Sequence, residues 1–175
     1  DTYAFGTLTF NSAGSVVISE NGATVLSDTS TAGSLDLDST NSITDDGTSD
    51  LTVTSNADFA DGGGAGITLD GALALGSLTF NSTGAVVIDE DDATQLSGGS
   101  TAGSLDLDSG GALTNAAAAT LAVTGLADFA GTSIALGNQA GDTMNFGSLT
   151  FNSAGSVIIE EDSATVLEGT DRKSV

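Results

Sequence analysis

The side chains in this sequence with the most potential for chemistry are its carboxylates. The segment SLDLDS places Asp36 and Asp38 two residues apart, and the same segment recurs with Asp106 and Asp108. Because alternate residues of a strand point to the same side, each pair should face outward with its carboxylates about 6.6 to 7 Å apart. An inverting glycosidase separates its two carboxyl groups by about 6.5 to 9.5 Å, so the spacing raises a polysaccharide-cleaving site as a hypothesis.

The groups that would support such a site are missing from the sequence. It contains no His, and its two basic residues, Arg172 and Lys173, lie close to the end of the chain. The repeats therefore hold no cation that could bind an anionic sugar or shift the pKa of a carboxylate through a nearby positive charge. The pair also occurs twice, whereas an active site is needed once. We expect no enzyme and no catalytic residue, and interpret these aspartates as a solvated face that keeps the protein soluble.

Calcium binding is the alternative role for the acidic residues. Calcium prefers carboxylate and carbonyl oxygens, and it would reduce the repulsion between stacked acids. Three acidic runs could supply these oxygens, although the last two correspond to residues 19–22 in the first copy of the repeat, which are less acidic. Exposed acidic corners are the competing interpretation, and calcium is the one cofactor that the sequence suggests. The candidate metal ligands are Asp45, Asp46, Asp89, Glu90, Asp91, Asp92, Glu160, Glu161 and Asp162.

The charge of the chain excludes several partners. Its formal net charge is −22, from 24 acidic and 2 basic residues. Nucleic acids and anionic membrane surfaces are bound through clustered Lys and Arg, so neither is expected as a partner. Membrane insertion is not expected either, because no apolar run approaches the ~20 residues of a membrane-spanning helix. Self-repulsion between so many negative charges is tolerable where salt screens it. The absence of Cys is compatible with an oxidising exterior. Both observations favour an extracellular location.

Internal repetition dominates the sequence. The block that begins GTLTFNSAG at Gly6 returns at Gly76 and again at Gly147, with offsets of 70 (76 − 6) and 71 (147 − 76) residues. The segment TAGSLDLDS at Thr31 recurs unchanged at Thr101. The period is therefore near seventy residues, and residues 1–175 are expected to form a single array that begins in mid-repeat. The copies are 6–75, 76–146 and 147–175, the last of them truncated.

The pattern within each repeat favours an all-β solenoid. Short segments alternate apolar and polar residues, and Gly, Ser, Asn and Asp separate them. A sandwich does not account for the repetition, and a propeller usually carries an aromatic signature in each blade. A parallel β-solenoid (β-helix) stacks the inward side chains of successive coils, which explains the 24 Gly and the absence of Pro. We expect about three coils of about 23 residues in each repeat.

The residues predicted to point inward are the apolar members of the alternating segments. In the first copy they are Leu8, Phe10, Val16, Ile18, Leu35, Leu37, Leu51, Val53 and Phe59, and in the second Leu78, Phe80, Val86, Ile88, Leu105, Leu107, Leu121, Val123 and Phe129.

Units such as NFGSLTFNSAG, from Asn145, and LAVTGLADFAG, from Leu121, resemble the repeat regions of large secreted bacterial haemagglutinin-like and autotransporter-type adhesins. The resemblance extends through Leu167. It implies a right-handed parallel β-solenoid that serves as an extracellular stalk or fibre at the cell surface. It supplies no shared binding motif.

These observations lead to one expected function and two alternatives. The expected function is a non-enzymatic structural stalk or fibre segment of an extracellular bacterial surface protein, self-assembling end to end into filaments. The first alternative is an adhesin module that binds a glycan, another cell-surface ligand or a partner rod through the variable loops 61–70 and 131–142. The second is a calcium-binding repeat protein.

Overall fold

The structure, a computed structural model, describes residues 3–168 and contains 18 β-strands and no helix in that range. No helix that could cross a membrane is therefore present among the described residues. Every strand pairing within residues 3–168 is parallel. The strands are β1 (Ser15–Glu20), β2 (Thr24–Leu26), β3 (Thr29–Ala32), β4 (Ser34–Ser39), β5 (Ile43–Asp45), β6 (Asp50–Asp61), β7 (Ile67–Leu69), β8 (Ala72–Ser82), β9 (Ala85–Glu90), β10 (Thr94–Leu96), β11 (Gly99–Ala102), β12 (Ser104–Ser109), β13 (Ala112–Asn115), β14 (Thr120–Gly131), β15 (Ser133–Leu136), β16 (Thr143–Ser153), β17 (Val157–Ile159) and β18 (Val166–Leu167).

The pairing confirms a parallel β-solenoid. We call one full turn of the chain a coil, and we call a column of residues paired from coil to coil a lane. One lane begins at Thr24, which pairs with Ile43, and Ile43 pairs in turn with Ile67. These two steps span 19 (43 − 24) and 24 (67 − 43) residues. The lane reaches Leu167 after seven steps, so the structure contains about seven coils between these residues.

The repeat and the coil have different lengths. Three coils carry the lane of Thr24 as far as Val86, 62 residues on (86 − 24), and a fourth carries it to Leu105, 81 residues on (105 − 24). Thr94, the repeat equivalent of Thr24, lies 70 residues on and so falls about midway between these two positions. Each repeat therefore comprises about three and a half coils, which refines the expected three coils of about 23 residues.

The half coil places equivalent residues on opposite sides of the rod. Val16 starts one lane, which passes through Leu35, but its repeat equivalent Val86 lies in the lane of Thr24. Conversely, Leu26 lies on the same strand as Thr24, but its repeat equivalent Leu96 lies in the lane that starts at Val16. Successive copies of the repeat consequently present the same surface on alternate sides.

The interior is a continuous apolar core that runs the length of the solenoid. Phe59 lies between Leu37 and Phe80 in its lane, and all three side chains are fully buried. The predicted inward residues of the interior coils are buried, which confirms the alternation that identified them. The four predicted inward residues of the first described coil are only partly buried, because the coil above covers them and residues 3–168 place no coil below them. These four are Leu8, Phe10, Val16 and Ile18.

Glycine is required at one corner because the backbone of the coil below comes very close. A Cβ atom added at Gly76 would lie 2.4 Å from the carbonyl oxygen of Thr54, and one at Gly147 would lie 2.4 Å from that of Thr124. Gly6 is the equivalent residue of the first coil, and a Cβ there would have no atom within 4 Å. The glycine is thus needed only where a coil lies beneath it.

The variants Gly76→Ala and Gly6→Ala test this corner as a matched pair. Gly76→Ala should lower the free energy of unfolding by about 1 to 3 kcal/mol, because overpacking forces the backbone to shift. Gly6→Ala should leave it nearly unchanged. Denaturant unfolding of both variants measures the difference, and equal losses of stability would contradict the stacking described here.

Candidate functional site

Three aspartates form a first acidic patch on one side of the rod. Asp36 and Asp38 lie on β4 and face outward, as their alternation predicted. Asp58, on β6 of the next coil, is paired directly with Asp36. Adjacent parallel strands are about 4.8 Å apart, so the two carboxylates are held close together. We name Asp36, Asp38 and Asp58 acidic patch 1.

A second acidic patch lies on the opposite side, because the repeat advances by a half-integral number of coils. Asp106 is paired with Asp128 in the coil above, and Asp108 is paired with Asp89 in the coil below. We name these four residues acidic patch 2. Asp58 and Asp128 were missed from the sequence, since each comes from the segment ADFA and meets the segment SLDLDS only through coil stacking.

Four aspartates of the two patches have raised pKa values, so their surroundings favour the protonated form. Burial, followed by the charges of Asp36 and Asp38, raises the pKa of Asp58. Burial and then the charge of Asp36 raise the pKa of Asp38. In acidic patch 2, burial first and neighbouring carboxylates second raise the pKa values of Asp106 and Asp108. All four pKa values are thus raised, and burial is the main cause of each.

The first pair of predicted metal ligands, Asp45 and Asp46, is engaged in turns. Asp45 accepts hydrogen bonds from the backbone N–H groups of Gly47 (3.1 Å) and Gly71 (2.8 Å). Asp46 accepts from the backbone N–H and the hydroxyl of Thr48, both at 2.9 Å. The bonds from Gly47 and Thr48 are typical of side chains that shape a local turn, whereas the bond from Gly71 joins Asp45 to the next coil.

The second run, residues 89–92, does not stay together. Asp89 faces outward in acidic patch 2, and Asp91 and Asp92 are exposed at the following corner. Glu90 points the other way: it is fully buried, and its Oε1 accepts the backbone N–H of Leu75 at 2.9 Å. Burial is the main cause of the raised pKa of Glu90.

The inward glutamate is a recurrent element of the repeat. Glu20 and Glu161 are the repeat equivalents of Glu90. Glu20 accepts a hydrogen bond from the backbone N–H of Phe5 at 2.7 Å, and Glu161 accepts one from the backbone N–H of Phe146 at 3.0 Å. Each of these N–H groups belongs to the residue directly before a corner glycine. The glutamate therefore holds the corner in place, and sequence reasoning missed this role by treating it as part of a charge run.

The third run, residues 160–162, is largely bound to backbone as well. Glu161 also accepts the N–H and hydroxyl of Ser163, at 3.1 and 2.6 Å. Burial opposes ionisation of Glu161, but these hydrogen bonds and those from Thr165 and Phe146 prevail and lower its pKa. Asp162 accepts the backbone N–H of Met144 at 2.9 Å, while Glu160 is exposed. Within residues 3–168, no three acidic side chains converge in a way that could hold a metal ion, and calcium binding stays a prediction.

A carboxyl pair at the corner of the first copy is replaced by an amide–carboxylate pair in the second. The hydrogen bond and then the charge of Asp45 raise the pKa of the exposed Asp70. In the second copy, Asn115 occupies the position of Asp45, and its Nδ2 donates to Oδ2 of Asp142 at 2.8 Å. The second copy therefore makes a comparable cross-coil contact, one residue further along the chain, without placing two carboxylates together.

The variable loop of the first copy is organised by Asp61, a buried residue that sequence reasoning did not single out. Its Oδ1 accepts the backbone N–H groups of Gly63 and Gly64, at 2.9 and 3.0 Å. Its Oδ2 accepts from Gly66 N–H at 2.6 Å and from the Ser82 hydroxyl at 3.1 Å. Gly131 stands at the equivalent position in the second copy, so the repetition gave no signal for this role.

The two ends of the described solenoid differ from its middle. Strand β1 pairs with β4 alone, and β17 and β18 each pair with a single strand in the described part of the chain. The large apolar side chains that are exposed in residues 3–168 all belong to the first coil (3–20) or the last coil (149–168). They are Tyr3, Phe5, Val17, Phe151, Ile158, Val166 and Leu167.

The raised pKa values predict an unusual dependence of stability on pH. A carboxyl whose pKa is higher in the folded state than in the unfolded state stabilises the fold at low pH, and this contribution is lost as the pH rises through the folded pKa. The melting temperature should therefore increase as the pH falls from 7 towards about 4.5, above the ordinary range of aspartate pKa values. Thermal unfolding at a series of pH values checks this, and a melting temperature that falls steadily over the same range would contradict it.

Two variants locate the source of that dependence. Asp58→Asn removes the most buried carboxylate of acidic patch 1 and should raise the melting temperature at pH 7 while flattening its pH dependence. Asp50→Asn changes an exposed aspartate outside both patches and serves as the control. High salt at pH 7 should reduce the difference in melting temperature between Asp58→Asn and the unaltered chain, because salt screens the repulsion between carboxylates.

Comparison with known proteins gives one family match, and it follows the repeats of the chain. Residues 13–79 and 83–150 match a family described as repeats of unknown function (DUF5649). The two matched segments start 70 residues apart (83 − 13) and end 71 apart (150 − 79), in agreement with the sequence period. No curated protein and no solved structure matches the chain. Since the two segments together cover most of its length, the chain belongs to this family of repeats of unknown function.

Proposed function

We propose that the chain is a non-enzymatic structural segment, a stalk or fibre section of an extracellular bacterial surface protein. The observation that carries the proposal is the unbroken lane from Thr24 to Leu167, which passes through seven coils without a change of direction. Each coil is covered mainly by its two neighbours, so adding repeats adds length without a new core. A molecule built in this way is suited to spanning distance.

The acidic patches support a structural role over a catalytic one. General acid–base chemistry on an anionic sugar needs a cationic side chain to hold the substrate. The two basic residues of the chain, Arg172 and Lys173, both lie outside residues 3–168, so neither patch has such a partner within the described range. The same carboxylates supply the surface charge that keeps a long, apolar-cored rod soluble.

The extracellular location rests on charge and composition. A net charge of −22 is tolerated best where salt screens it, and the chain has no Cys that would need a reducing compartment. The resemblance to haemagglutinin-like and autotransporter-type adhesin repeats adds the cell surface to this proposal. The family of repeats of unknown function is compatible with this assignment and does not specify it.

Insertion of one extra repeat tests the structural role. A second copy of residues 76–146 placed after Phe146 should lengthen the particle by about 17 Å, since three and a half coils each rise about 4.8 Å. The cross-section should stay the same, and small-angle X-ray scattering measures both quantities. The matched control inserts the same residues in scrambled order, which should add mass without a regular increase in length. An insertion that thickens the particle instead of lengthening it would contradict the proposal.

The same preparations separate the alternatives. A glycan array probed with the unaltered chain would favour the adhesin alternative if binding were lost on exchange of the loops 61–70 and 131–142. Hydrolysis of an acidic polysaccharide that disappeared in Asp36→Asn would favour an enzyme. The structural proposal expects neither result.

A further inference from the structure

We propose that Asn81 is an acceptor for N-linked glycosylation, in which a separate glycosyltransferase joins a sugar to the side-chain amide. The co-substrate is a sugar whose anomeric carbon is bonded to a pyrophosphate, as in a nucleotide sugar or a lipid-linked sugar. The inference rests on the proposed extracellular location, because this modification is typical of surface segments of secreted proteins. It adds a covalent modification site to the proposed structural role.

The acceptor motif occurs once in the chain, in the middle copy of the repeat. N-linked glycosylation requires Asn, then any residue except Pro, then Ser or Thr. Residues 81–83 read Asn-Ser-Thr, whereas the equivalent segments of the other copies, 11–13 and 152–154, read Asn-Ser-Ala. No other asparagine of the chain has Ser or Thr two residues further on. The middle copy thus differs from the other two at the residue that completes the motif.

The fold presents both functional groups of the motif at the surface. Asn81 is the last residue but one of β8, and Thr83 directly follows that strand. Asn81 is partly exposed and Thr83 is exposed, in agreement with the alternation of a strand. Ser82 points inward between them: it is buried, and its hydroxyl donates to Oδ2 of Asp61 at 3.1 Å. The amide and the hydroxyl that a transferase must recognise therefore face outward together.

The amide nitrogen of Asn81 is available for a new bond. Oδ1 accepts a hydrogen bond from the hydroxyl of Thr101 in the coil above at 3.2 Å, whereas Nδ2 donates none within residues 3–168. Ala60, which pairs with Asn81 in the coil below, carries only a methyl group, so no long side chain of this lane covers the amide from that side.

The transfer reaction balances at this nitrogen. Nδ2 of Asn81 attacks the anomeric carbon, an N–C bond forms, and the C–O bond to the pyrophosphate breaks. The pyrophosphate leaves with the bonding electrons, and one amide proton is released. The product keeps Oδ1 as a hydrogen-bond acceptor, so the contact with Thr101 is retained.

The hydroxyl of Thr83 has no role in the fold of the described residues. It forms no hydrogen bond among them. A Cβ atom added at Gly64 would collide with Oγ1 of Thr83, so the lack of a side chain at that glycine keeps the hydroxyl uncovered on this side. The other copies build the same corner with Ala13 and Ala154. Recognition by a transferase accounts for a hydroxyl that the fold does not use.

The sugar distinguishes the two acidic sides of the rod. Asp38 pairs with Ala60 and Ala60 pairs with Asn81, so the acceptor lies two coils above Asp38 of acidic patch 1. Asn152 lies in the same way two coils above Asp108 of acidic patch 2, but it lacks the motif. A linked sugar is bulky and solubilising. One side of the rod therefore carries a sugar next to its carboxylates, and the other carries carboxylates alone.

Mass spectrometry of the chain and its variants, produced in the cells that make it naturally, tests the proposal. We expect the intact mass to exceed the mass of the sequence by whole sugar residues, and peptide fragmentation to place them on Asn81 and on neither Asn11 nor Asn152. Thr83→Ala, which copies the sequence of the other repeats, should abolish the modification and leave the melting temperature of the unmodified chain unchanged. The matched control Thr83→Ser keeps the hydroxyl and should keep the modification.

The source of the sugar is tested with unmodified recombinant chain, incubated separately with soluble extract and with washed membranes of the same cells. Transfer by the soluble extract identifies a nucleotide sugar as the donor, and transfer by the membranes alone identifies a lipid-linked one. Absence of transfer in both would count against the proposal.

Three results would overturn the site: an unmodified chain in its natural host, sugar on other residues only, or undiminished modification of Thr83→Ala. Fractionation of the same cells separates this failure from that of the proposed function. An unmodified chain found outside the cells contradicts the glycosylation alone, whereas an unmodified chain found inside them contradicts the extracellular location as well.

Discussion

Coil-on-coil stacking of inward side chains is the constraint on which the rest of the structure depends. Once Leu37 lies under Phe59 and Phe59 under Phe80, every residue of those coils has a fixed neighbour above and below. The outward residues must follow the same register, so Asp36 meets Asp58 although their charges repel each other. Burial of the apolar lanes therefore sets the geometry, and the carboxylates respond through raised pKa values rather than through a change of position.

The mismatch between repeat and coil shapes the surface. A repeat of whole coils would line up identical segments along one side and concentrate the charge there. The advance of about three and a half coils places the two SLDLDS segments on opposite sides, so acidic patches 1 and 2 lie apart. A rod of this kind offers similar surfaces in two directions. It also shares the electrostatic cost of its net charge between them.

The sequence revealed most of the fold and less of its polar interior. Alternation predicted the inward residues because a strand has a period of two, and repetition predicted parallel stacking. The coil length was harder to read, since corners vary and nothing in the sequence marks where one coil becomes the next. The same alternation that placed Val86 and Ile88 inside also placed Glu90 there, yet the acidic run around it favoured an exposed interpretation. Asp61 and Asp58 gain their roles from neighbours in other coils, which the local sequence does not show.

The most direct test of the account is the register of the coils, and the absence of native Cys makes disulfide cross-linking well suited to it. Asp36, Asp58 and Thr79 lie in one lane, in three successive coils. Paired cysteines at 36 and 58, or at 58 and 79, should oxidise readily, because neighbouring Cα atoms about 4.8 Å apart suit a disulfide. Cysteines at 36 and 79, two coils apart at about 9.6 Å, should stay reduced within the monomer. Cross-linking of 36 to 79 as fast as that of the adjacent pairs would contradict the parallel stack.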